Sequence, residues 1–525
     1  MILLAAGLAG FAVLTLEVLG VHRLAPWFGT STLVWCNQIG VILAAMAVGG
    51  WLGGRRARTT PGAVRDAGRL LFWSGLLIAA GLLLLPALAG FVLPSGQFRL
   101  EEAAGIFLSG SLAAALILFA PPVLLLAMVA PLLVEARSQA RGAGRAAGEV
   151  SAAGTLGSLA GVFGTTLVAI PFLGTRLTLA GTALLLVAAG LLLLRPVRAL
   201  SLAALGAALV PGFLSEPADE ANLPFFQGRE TARVLETRET PYQHLRVVGF
   251  PSGDRWLQMN EGLDSYQSIW KEGGGWPGGY YDLFVLAPIY ALDGGPAENT
   301  VRFWLLGSAA GSSLIPVAAG LSGRPWEGVG VEIDPGVVDL ARRWMPLPAR
   351  LAGNVRYLTG VDARSSLRGA PRNLDFILLD AYARQFEIPL HLATEEFFRE
   401  VWNHLRPGGV FGLNVGTREK PGERFGFLGR LRATLAAVFG KRLRAHRVPY
   451  SRNVIVFARR ERPFPSLEAL AGRLPPGIPV EVGSACLPSR VIEGSSGLAG
   501  EMVFTDDRNP LALEQARLWL GGKTE

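Results

Sequence analysis

Cysteine is nearly absent from this chain. Its 525 residues include only Cys36 and Cys486, which fall in different halves of the sequence. Two distant thiols provide neither a disulfide framework nor a cysteine-based zinc site. Both are therefore expected to be apolar fillers.

Charged residues are also scarce. They make up 17% of the chain, whereas hydrophobic residues make up 50%, and the mean hydropathy of +0.38 is too high for an ordinary soluble enzyme. Long apolar runs continue to about Leu214, and ordinary globular sequence begins at Glu216. At this length two or more domains are expected. The sequence predicts a transmembrane helical domain over 1–214 and a linker over 215–228.

The net charge of +8 does not indicate nucleic-acid binding, because the basic residues lie in loops between apolar runs or are dispersed through the second half. Positive-inside topology explains the loop charges. The first segment, from Met1 to about Val21, lacks a basic start and a small-residue cleavage site, so we expect a retained span and no signal peptide. The lipid bilayer is the predicted partner of this half, and no nucleic acid is expected.

A helix needs about 20 apolar residues to cross the hydrocarbon of a bilayer. Six predicted spans and a doubtful seventh segment meet or approach this length: 2–22, 33–54, 70–93, 104–134, 149–171, 177–194 and 199–214. The fourth contains Pro121 and Pro122, and it is either one kinked helix or two half-helices. One helix is favoured, because no charge or polar turn interrupts it.

The arginines indicate the orientation. Three loops are rich in arginine, with Arg55, Arg56, Arg58, Arg65 and Arg69 in the first, Arg137, Arg141 and Arg145 in the second, and Arg195 and Arg198 in the third. The alternate loops hold Arg23, Arg99 beside Glu101 and Glu102, and Arg176. The rich loops are predicted to be cytoplasmic. The side of the soluble half then depends on 199–214, and because that run is marginal for a crossing, the cytoplasm is expected.

Two features of the apolar half stand out. Gly154, Gly157, Gly161 and Gly164, with Ser158 beside them, follow one helical face and predict close packing against a neighbouring helix. Glu17 is a carboxylate within an apolar run, which is expensive. It is a functional candidate with Arg23 or His22 as partner, or alternatively a residue that snorkels or pairs structurally at the interface.

The clearest pattern in the second half is a strand–turn–helix segment that begins at Val301. The segment VRFWLLGSAAGSSL predicts a strand, a turn with Gly307 and Gly311, and a helix, which lets a ligand approach the backbone. A second strand, in GVGVEIDPGVVDLARR, ends at Glu332. A carboxylate at that place can accept both hydroxyls of a ribose.

Two further strands deliver acidic residues. NVRYLTG leads to Asp362 and Ala363, and LDFILLD ends at Asp380. Strand ends of an open parallel sheet meet in one crevice, although Asp362 alone could be a helix cap. The glycine turn carries no GK[ST] of a nucleoside triphosphatase. A dinucleotide or an S-adenosyl compound remains as the ligand.

Several motifs in fixed order carry a family resemblance. Tyr242-Gln243, NEGLDSYQS (260–268), YYD (280–282), the glycine turn, Glu332, Asp362-Ala363 and Asp380 follow one another along the chain. This order resembles the polyamine aminopropyltransferases, or spermidine synthases, of bacteria. DAYARQFEIPLHLATEEFF, TDDRNPL and the amino-terminal LEVLGVHRLAPWFG resemble the membrane-fused branch.

The resemblance implies a fold and a set of roles. A small β-structured region is expected over 229–275, followed by a Rossmann-like, class I methyltransferase-type α/β domain over 276–515. Gln243, Gly307, Gly311, Glu332, Asp362 and Ala363 would bind the nucleoside co-substrate. Asp380 would be the catalytic base, with Tyr242 and Tyr382 orienting the amine. Tyr281, Asp282 and Gln267 would contact the substrate.

This sequence departs from the family in two places. The turn GSAAGS lacks the acidic residue that holds the aminopropyl ammonium, and Ala383, followed by Arg384, replaces a second aspartate. An arginine is electrostatically unsuited to a diamine site. His391 and the Asp506-Asp507 pair either compensate or are structural.

Three hypotheses follow. The first is a membrane-bound aminopropyltransferase-like enzyme that uses decarboxylated S-adenosylmethionine and an amine, and needs no metal. The second is an alkyl or methyl transferase that uses intact S-adenosylmethionine on a membrane-delivered substrate. The third is a ligand-sensing domain that gates a transporter-like bundle. A multi-pass protein of the bacterial inner membrane is expected, with a homodimer as the candidate assembly.

Overall fold

The structure is a computed structural model of the 525-residue chain. It describes residues 1–28, 32–57, 62–92, 109–194, 200–214, 232–260, 266–292, 299–382, 387–417, 426–495, 498 and 500–511. The predicted linker 215–228 lies outside these residues, as do Ala383 and Arg384.

The amino-terminal half is helical. Within the described residues, five helical segments are long and apolar enough to cross a bilayer, which is compatible with a membrane protein. They are α1 (Ile2–Phe28), α2 (Thr32–Ala57), α3 (Ala63–Val92), α4 (Ser109–Arg141) and a bent fifth segment from Ala143 to Leu194. Buried apolar side chains from all five segments form one hydrophobic core in this half.

The fourth segment is one helix, as the sequence favours. A π-helical stretch, Ala115–Phe119, precedes Pro121 and Pro122. Proline supplies no amide hydrogen, so a local change of helical pitch accommodates the pair without ending the helix. The fifth segment comprises α5 (Ala143–Gly164), a second π-helical stretch (Thr165–Ala169) and α6 (Ile170–Leu194), with a break at Gly174, where φ is 72°. The break separates the two spans predicted over 149–171 and 177–194.

The glycine face of α5 packs on α1, as predicted. A Cβ atom on Gly157 would lie 1.9 Å from the carbonyl oxygen of Gly7, and one on Gly161 would lie 2.5 Å from that of Phe11. Backbone therefore meets backbone along this contact, which only residues without side chains allow. Gly164 has open space where its Cβ would be, so it does not take part.

A short helix, α7 (Leu200–Leu209), and a 3₁₀ turn (Val210–Gly212) follow α6. Nη2 of Arg176 donates to the carbonyl oxygen of Pro211 at 2.9 Å. Since Arg176 lies near the start of α6, α7 runs back along α6 toward that start. The sequence favoured a run that does not cross a membrane; in the structure this run lies along α6 and ends near Arg176.

Contacts divide the chain into two compact units. The first comprises Met1–Phe225, Thr237–Leu245 and Asn260–Leu263, and the second comprises the remaining segments, from Phe226 to Glu525. A four-stranded sheet contributes to both, with strands β1 (Arg233–Glu239), β2 (His244–Gly249), β3 (Arg255–Met259) and β4 (Ser268–Trp270) in that order. It occupies the region where the resemblance implies a small β-structured domain.

The second unit is built on an eight-stranded mixed sheet. Its strands are β5 (Val301–Leu306), β6 (Trp326–Glu332), β7 (Val355–Thr359), β8 (Leu374–Leu379), β9 (Leu405–Gly416), β10 (Leu443–Arg447), β11 (Asn453–Arg459) and β12 (Val491–Glu493). Their order is β12-β10-β11-β9-β8-β5-β6-β7. The five neighbouring strands β9, β8, β5, β6 and β7 are parallel. The pairs β9–β11, β11–β10 and β10–β12 are antiparallel.

Helices cover both faces of this sheet, as a parallel sheet requires. They are α8 (Leu286–Ala291), α9 (Leu314–Gly320), α10 (Pro335–Trp344), α11 (Ala349–Ala352), α12 (Ala363–Leu367), α13 (Glu395–His404), α14 (Phe427–Phe439), α15 (Leu467–Ala471) and α16 (Val480–Ala485). One core centres on Phe411 and Phe439, and the other on Phe303 and Phe376. This α/β architecture after an α-helical half confirms the fold class predicted from the sequence.

Candidate active site

The glycine turn connects β5 to α9 and is anchored to β6. Gly307 and Gly311 have φ values of 80° and 85°, which disfavour any residue with a side chain. A Cβ atom on Gly307 would lie 2.5 Å from Cα of Ala381. The turn therefore lies directly against the end of β8, where Asp380 begins the next loop.

Glu332 ends β6 and holds the turn from the other side. Its Oε2 accepts a hydrogen bond from the amide of Ala309 at 3.0 Å, and its Oε1 accepts one from the amide of Asp334 at 3.1 Å. Burial raises the pKa of this carboxyl to about 7. Glu332 is thus fixed at the strand end that the sequence predicts, with its carboxylate beside the turn.

Asp362 caps α12 and also pairs with a histidine. Its Oδ1 accepts from the amides of Arg364 and Ser365, both at 3.0 Å, and its Oδ2 lies 2.7 Å from Nε2 of His391. The hydrogen bond from His391 holds the pKa of Asp362 at about 2. The cap geometry and the predicted strand-end position therefore coexist in this residue. Ala363 is buried next to it.

Asp380 follows β8 and is surrounded by hydrogen-bond donors. Nδ2 of Asn414 donates to Oδ1 at 2.9 Å, and Oγ of Ser313 lies 3.5 Å from Oδ2. The Tyr280 hydroxyl hydrogen-bonds the same carboxyl. Burial nevertheless dominates and raises the pKa of Asp380 to about 7. A carboxyl with this pKa is suited to accepting a proton near neutral pH.

The tyrosines near Asp380 have distinct environments. The Tyr382 hydroxyl donates to the carbonyl oxygen of Asn414 at 2.7 Å and accepts from the amide of Gly416 at 3.1 Å. Burial raises its pKa far above the ordinary value. The rings of Tyr280 and Tyr281 are tilted by 33° with centroids 4.0 Å apart. Burial raises the pKa of both hydroxyls, and the charge of Asp380 raises it further. The Tyr382 hydroxyl is therefore hydrogen-bonded to the backbone of β9.

The other predicted substrate residues lie in the loop that leads to α8 and before β4. Asp282 is buried and accepts from the amide of Gly278 at 3.0 Å, and burial raises its pKa to about 6. Gln267 is partly buried, and its backbone amide donates to the carbonyl oxygen of Leu257 at 2.8 Å. Both thus have local structural contacts.

Tyr242 and Gln243 form the turn between β1 and β2. Oγ1 of Thr240 accepts from the amides of Tyr242 and Gln243 at 3.2 and 3.0 Å. Tyr242 is half-exposed. The two residues belong to the first compact unit, whereas the strand-end carboxylates belong to the second.

Within the second unit, short backbone contacts join the four predicted strand ends in pairs, and the amide of Gly307 donates to the carbonyl oxygen of Val331 at 3.0 Å. The amide of Asp380 donates to the carbonyl oxygen of Leu306 at 2.9 Å, and the amide of Gly360 donates to that of Glu332 at 3.1 Å. Glu332, the glycine turn and Asp380 therefore adjoin one another, and Asp362 follows two residues after Gly360.

Sequence reasoning missed Asn414, Ser313 and Tyr280 as partners of Asp380. Asn414 lies within a continuous buried strand, where a polar residue is itself a signal. The sequence left open whether Asp506 compensates for missing acidic residues or is structural. It accepts from Nη1 and Nη2 of Arg364 at 2.8 and 2.9 Å, which favours the structural alternative.

Comparisons with known proteins extend these observations. No family model matches the chain. It is 30% identical over 178 residues to a probable polyamine aminopropyl transferase of Bifidobacterium longum, covering 34% of this chain and 36% of that protein. It is 33% identical over 226 residues to a polyamine aminopropyltransferase of Nitrosomonas europaea, covering 40% and 60%.

Among solved structures, a probable spermidine synthase from Corynebacterium glutamicum matches with 20% identity and a TM-score of 0.41, over 52% of this chain and 96% of that one. The chain spans less than two thirds of the length of either polyamine aminopropyltransferase relative. Both sequence relatives nevertheless carry the same family name. Over this part of its length the chain is similar in sequence to polyamine aminopropyltransferases.

Proposed function

We propose that this protein is a membrane-bound aminopropyltransferase-like enzyme. It transfers an aminopropyl group from decarboxylated S-adenosylmethionine to an amine acceptor and releases methylthioadenosine. The names of the two sequence relatives support this proposal, and so does the site around Asp380.

The environment of Asp380 is the observation on which the proposal depends. It lies at the end of a parallel strand, next to the glycine turn, and its pKa is about 7 because it is buried. An alkylammonium must lose a proton before its nitrogen can attack carbon. A buried carboxylate within hydrogen-bond reach can accept that proton near neutral pH.

The proposed reaction is a single displacement. The acceptor nitrogen forms a bond to the methylene carbon beside the sulfonium, and the carbon–sulfur bond breaks with its electron pair going to sulfur. Asp380 takes the proton that the nitrogen loses. The in-line arrangement of nitrogen, carbon and sulfur supplies much of the remaining rate.

The nucleoside part of the donor fits the opposite side of the glycine turn. The positive φ values of Gly307 and Gly311 set the path of the turn, and each oxygen of Glu332 accepts one backbone amide. A carboxylate oxygen has a second lone pair, so Glu332 can also accept ribose hydroxyls. Asp362 and Ala363 would then face the adenine, as the family resemblance implies.

A second candidate is a transferase that uses intact S-adenosylmethionine. The turn presents Ser308, Ala309 and Ala310, and the amide of Ala309 is bound to Glu332. An acidic side chain in the turn would favour an aminopropyl ammonium, and this turn has none. Intact S-adenosylmethionine has a carboxylate that the decarboxylated donor lacks, so the two candidates are distinguished by which of these donors the protein uses.

Two measurements test the proposal on the full-length protein in detergent. Calorimetry should show that methylthioadenosine binds more tightly than adenosine diphosphate. Incubation with putrescine and decarboxylated S-adenosylmethionine should release methylthioadenosine. Asp380→Asn should abolish this release while nucleoside affinity changes little, and Glu468→Gln, which alters an exposed carboxylate of α15, should leave both unchanged.

Other outcomes distinguish the alternatives. Release of S-adenosylhomocysteine or methylthioadenosine only from intact S-adenosylmethionine would favour the second candidate. No nucleoside binding would remove both enzymatic functions. An active Asp380→Asn variant would overturn the assignment of the base.

A further inference from the structure

The helical half has one arginine-rich end. Nε of Arg56, near the end of α2, donates to Oδ2 of Asp66 near the start of α3 at 2.9 Å. A Cβ atom on Gly68 of α3 would lie 2.8 Å from Cβ of Leu193. The end of α2, the start of α3 and the end of α6 therefore meet at one end of the bundle.

The turn between α4 and α5 lies at the same end. Cβ atoms on Gly49 and Gly53 would lie 2.3 and 2.7 Å from the backbone of Leu124 and Met128, so α2 and α4 run in the same direction. Both helices then finish at the arginine-rich end. That end carries Arg55, Arg56, Arg65, Arg69, Arg137, Arg141 and Arg145, and the sequence places Arg195 and Arg198 directly after α6.

The opposite end carries few basic residues. A Cβ atom on Gly110, at the start of α4, would lie 2.6 Å from Cε1 of Phe28 and 2.7 Å from Cγ1 of Val92. The ends of α1 and α3 therefore meet the start of α4. Within the described residues, the arginines of this arginine-poor end are Arg23 of α1 and Arg176 of α6.

The chain leaves the bundle at the arginine-poor end. Arg176 binds the carbonyl oxygen of Pro211 at 2.9 Å, and a Cβ atom on Gly212 would lie 2.7 Å from Cβ of Ala180. Oγ1 of Thr175 also donates to Oε1 of Glu239, at the end of β1, at 3.2 Å within the same compact unit. All three contacts involve residues 175–180 of α6, far along that helix from Leu194.

The sequence after Gly212 cannot return through a bilayer. Residues 215–231 include Glu216, Asp219, Glu220, Arg229 and Glu230. A crossing needs about 20 predominantly apolar residues. The carboxyl-terminal half therefore lies on the side of the membrane to which the arginine-poor end belongs.

Arginine-rich loops stay on the cytoplasmic side of a membrane. We infer that the carboxyl-terminal half, with Asp380 and Glu332, faces the non-cytoplasmic side. This reverses the expectation from the sequence, in which 199–214 was too short to cross. Within the bundle, α7 and the 3₁₀ turn pack along α6 and α3 with Ala208, Pro211 and Gly212 buried, so protein covers one side of the segment and its length is not set by lipid alone.

If the carboxyl-terminal half is on the non-cytoplasmic side, the proposed function has a consequence for its substrates, and this consequence rests on that function. Donor and acceptor must reach the site from outside the cytoplasm. A sulfonium nucleoside is charged and does not cross hydrocarbon unaided. A transport reaction that delivers this class of donor must therefore precede transfer, and the product is formed outside the cytoplasm.

Single-cysteine labelling of the full-length protein in cells tests the side. In a Cys36→Ser, Cys486→Ala background, one variant carries Val480→Cys, whose side-chain position is 78% exposed. A matched variant carries Ala140→Cys at the exposed end of α4. A membrane-impermeant maleimide, added to intact cells with a permeable outer envelope, should label Val480→Cys and should label Ala140→Cys only after lysis.

The reverse pattern would overturn the inference: Val480→Cys protected until lysis and Ala140→Cys labelled in intact cells. Leu487→Cys, 52% exposed, provides a second reporter if Val480→Cys does not accumulate. Turnover in detergent is independent of the side of the membrane. A failure of the topology and a failure of the proposed chemistry are therefore separate results.

Discussion

Nδ2 of Asn414 donates a hydrogen bond of 2.9 Å to Oδ1 of Asp380, and Oδ1 of the same asparagine accepts one of 2.9 Å from Nδ2 of Asn453. Asn453 is in turn held by Oγ of Ser451 at 2.8 Å. Because its oxygen is occupied by Asn453, Asn414 presents its amino group to Asp380. Ser451, Asn453 and Asn414 therefore fix the orientation of the hydrogen bond that lowers the pKa of Asp380 most.

Asn414→Ala should shift the pH dependence of turnover. Burial raises the pKa of Asp380 to about 7, and Asn414 opposes that rise. Loss of a hydrogen bond to a charged group costs about 1.5–3 kcal/mol, so the ascending limb of kcat/KM should move up by about one pH unit or more. Turnover at high pH should largely persist, because the base is still present.

Steady-state kinetics from pH 5 to 10 measures this shift. Asn453→Ala should move the limb in the same direction by less, since it only frees the orientation of Asn414. An unchanged limb in Asn414→Ala would mean that another group controls the pH dependence.

Binding of the nucleoside should release a proton near neutral pH. The pKa of Glu332 is about 7 because of burial. Ribose hydroxyls that donate to its carboxylate favour the charged form and lower that pKa. Affinity for methylthioadenosine should therefore rise as pH increases through about 7. Calorimetry in buffers of different ionisation enthalpy reports the released proton.

Glu332→Gln provides the control for this measurement. The amide keeps a similar size but does not titrate, so proton release should vanish along with much of the affinity. Proton release that persists in this variant would assign the titration to a different residue.

The glycine turn should not tolerate a side chain at position 307. Gly307 and Gly323 have nearly equal φ values of 80° and 79°, but a Cβ atom meets Cα of Ala381 at 2.5 Å in the first case and open space in the second. Gly323→Ala should cost about 1–2 kcal/mol from the backbone conformation alone. Gly307→Ala should lower the Tm clearly further and weaken nucleoside binding. Equal Tm values for the two variants would contradict the close approach.

Much of the fold was predictable, because its signals are local. Long apolar runs and buried strands that end in Glu332 and Asp380 are visible in the sequence, and the structure has the corresponding elements. The exit of the chain from the bundle was not predictable. Thirteen residues in α7 and its 3₁₀ turn look too short for a span, and the contacts of Arg176 with Pro211 and of Gly212 with Ala180 reveal their direction.

The candidate site was predictable where it depends on strand ends and not where it depends on pairing across strands. Asn414 meets Asp380 because β8 and β9 are neighbours, and Asn453 meets Asn414 because β11 pairs with β9. Sequence separations of 34 and 39 residues hide both contacts. The roles of Tyr242 and Gln243 remain predictions, as do those of the other site residues.

The packing of α1 on α5 gives a prediction for the helical half. A Cβ atom on Gly157 would lie 1.9 Å from the carbonyl oxygen and 2.6 Å from the carbonyl carbon of Gly7, and backbone atoms cannot rotate away as a side chain can. Gly164 is on the same helix with nothing within 4 Å of its Cβ position. Alanine favours a helix over glycine by about 1 kcal/mol, so propensity alone would stabilise both variants. Gly157→Ala should instead lower the Tm of the full-length protein in detergent, whereas Gly164→Ala should leave it unchanged or raise it. A Gly157→Ala variant as stable as Gly164→Ala would show that α1 and α5 are not in backbone contact, because a helix separation wide enough for a methyl group removes the steric difference between the two positions.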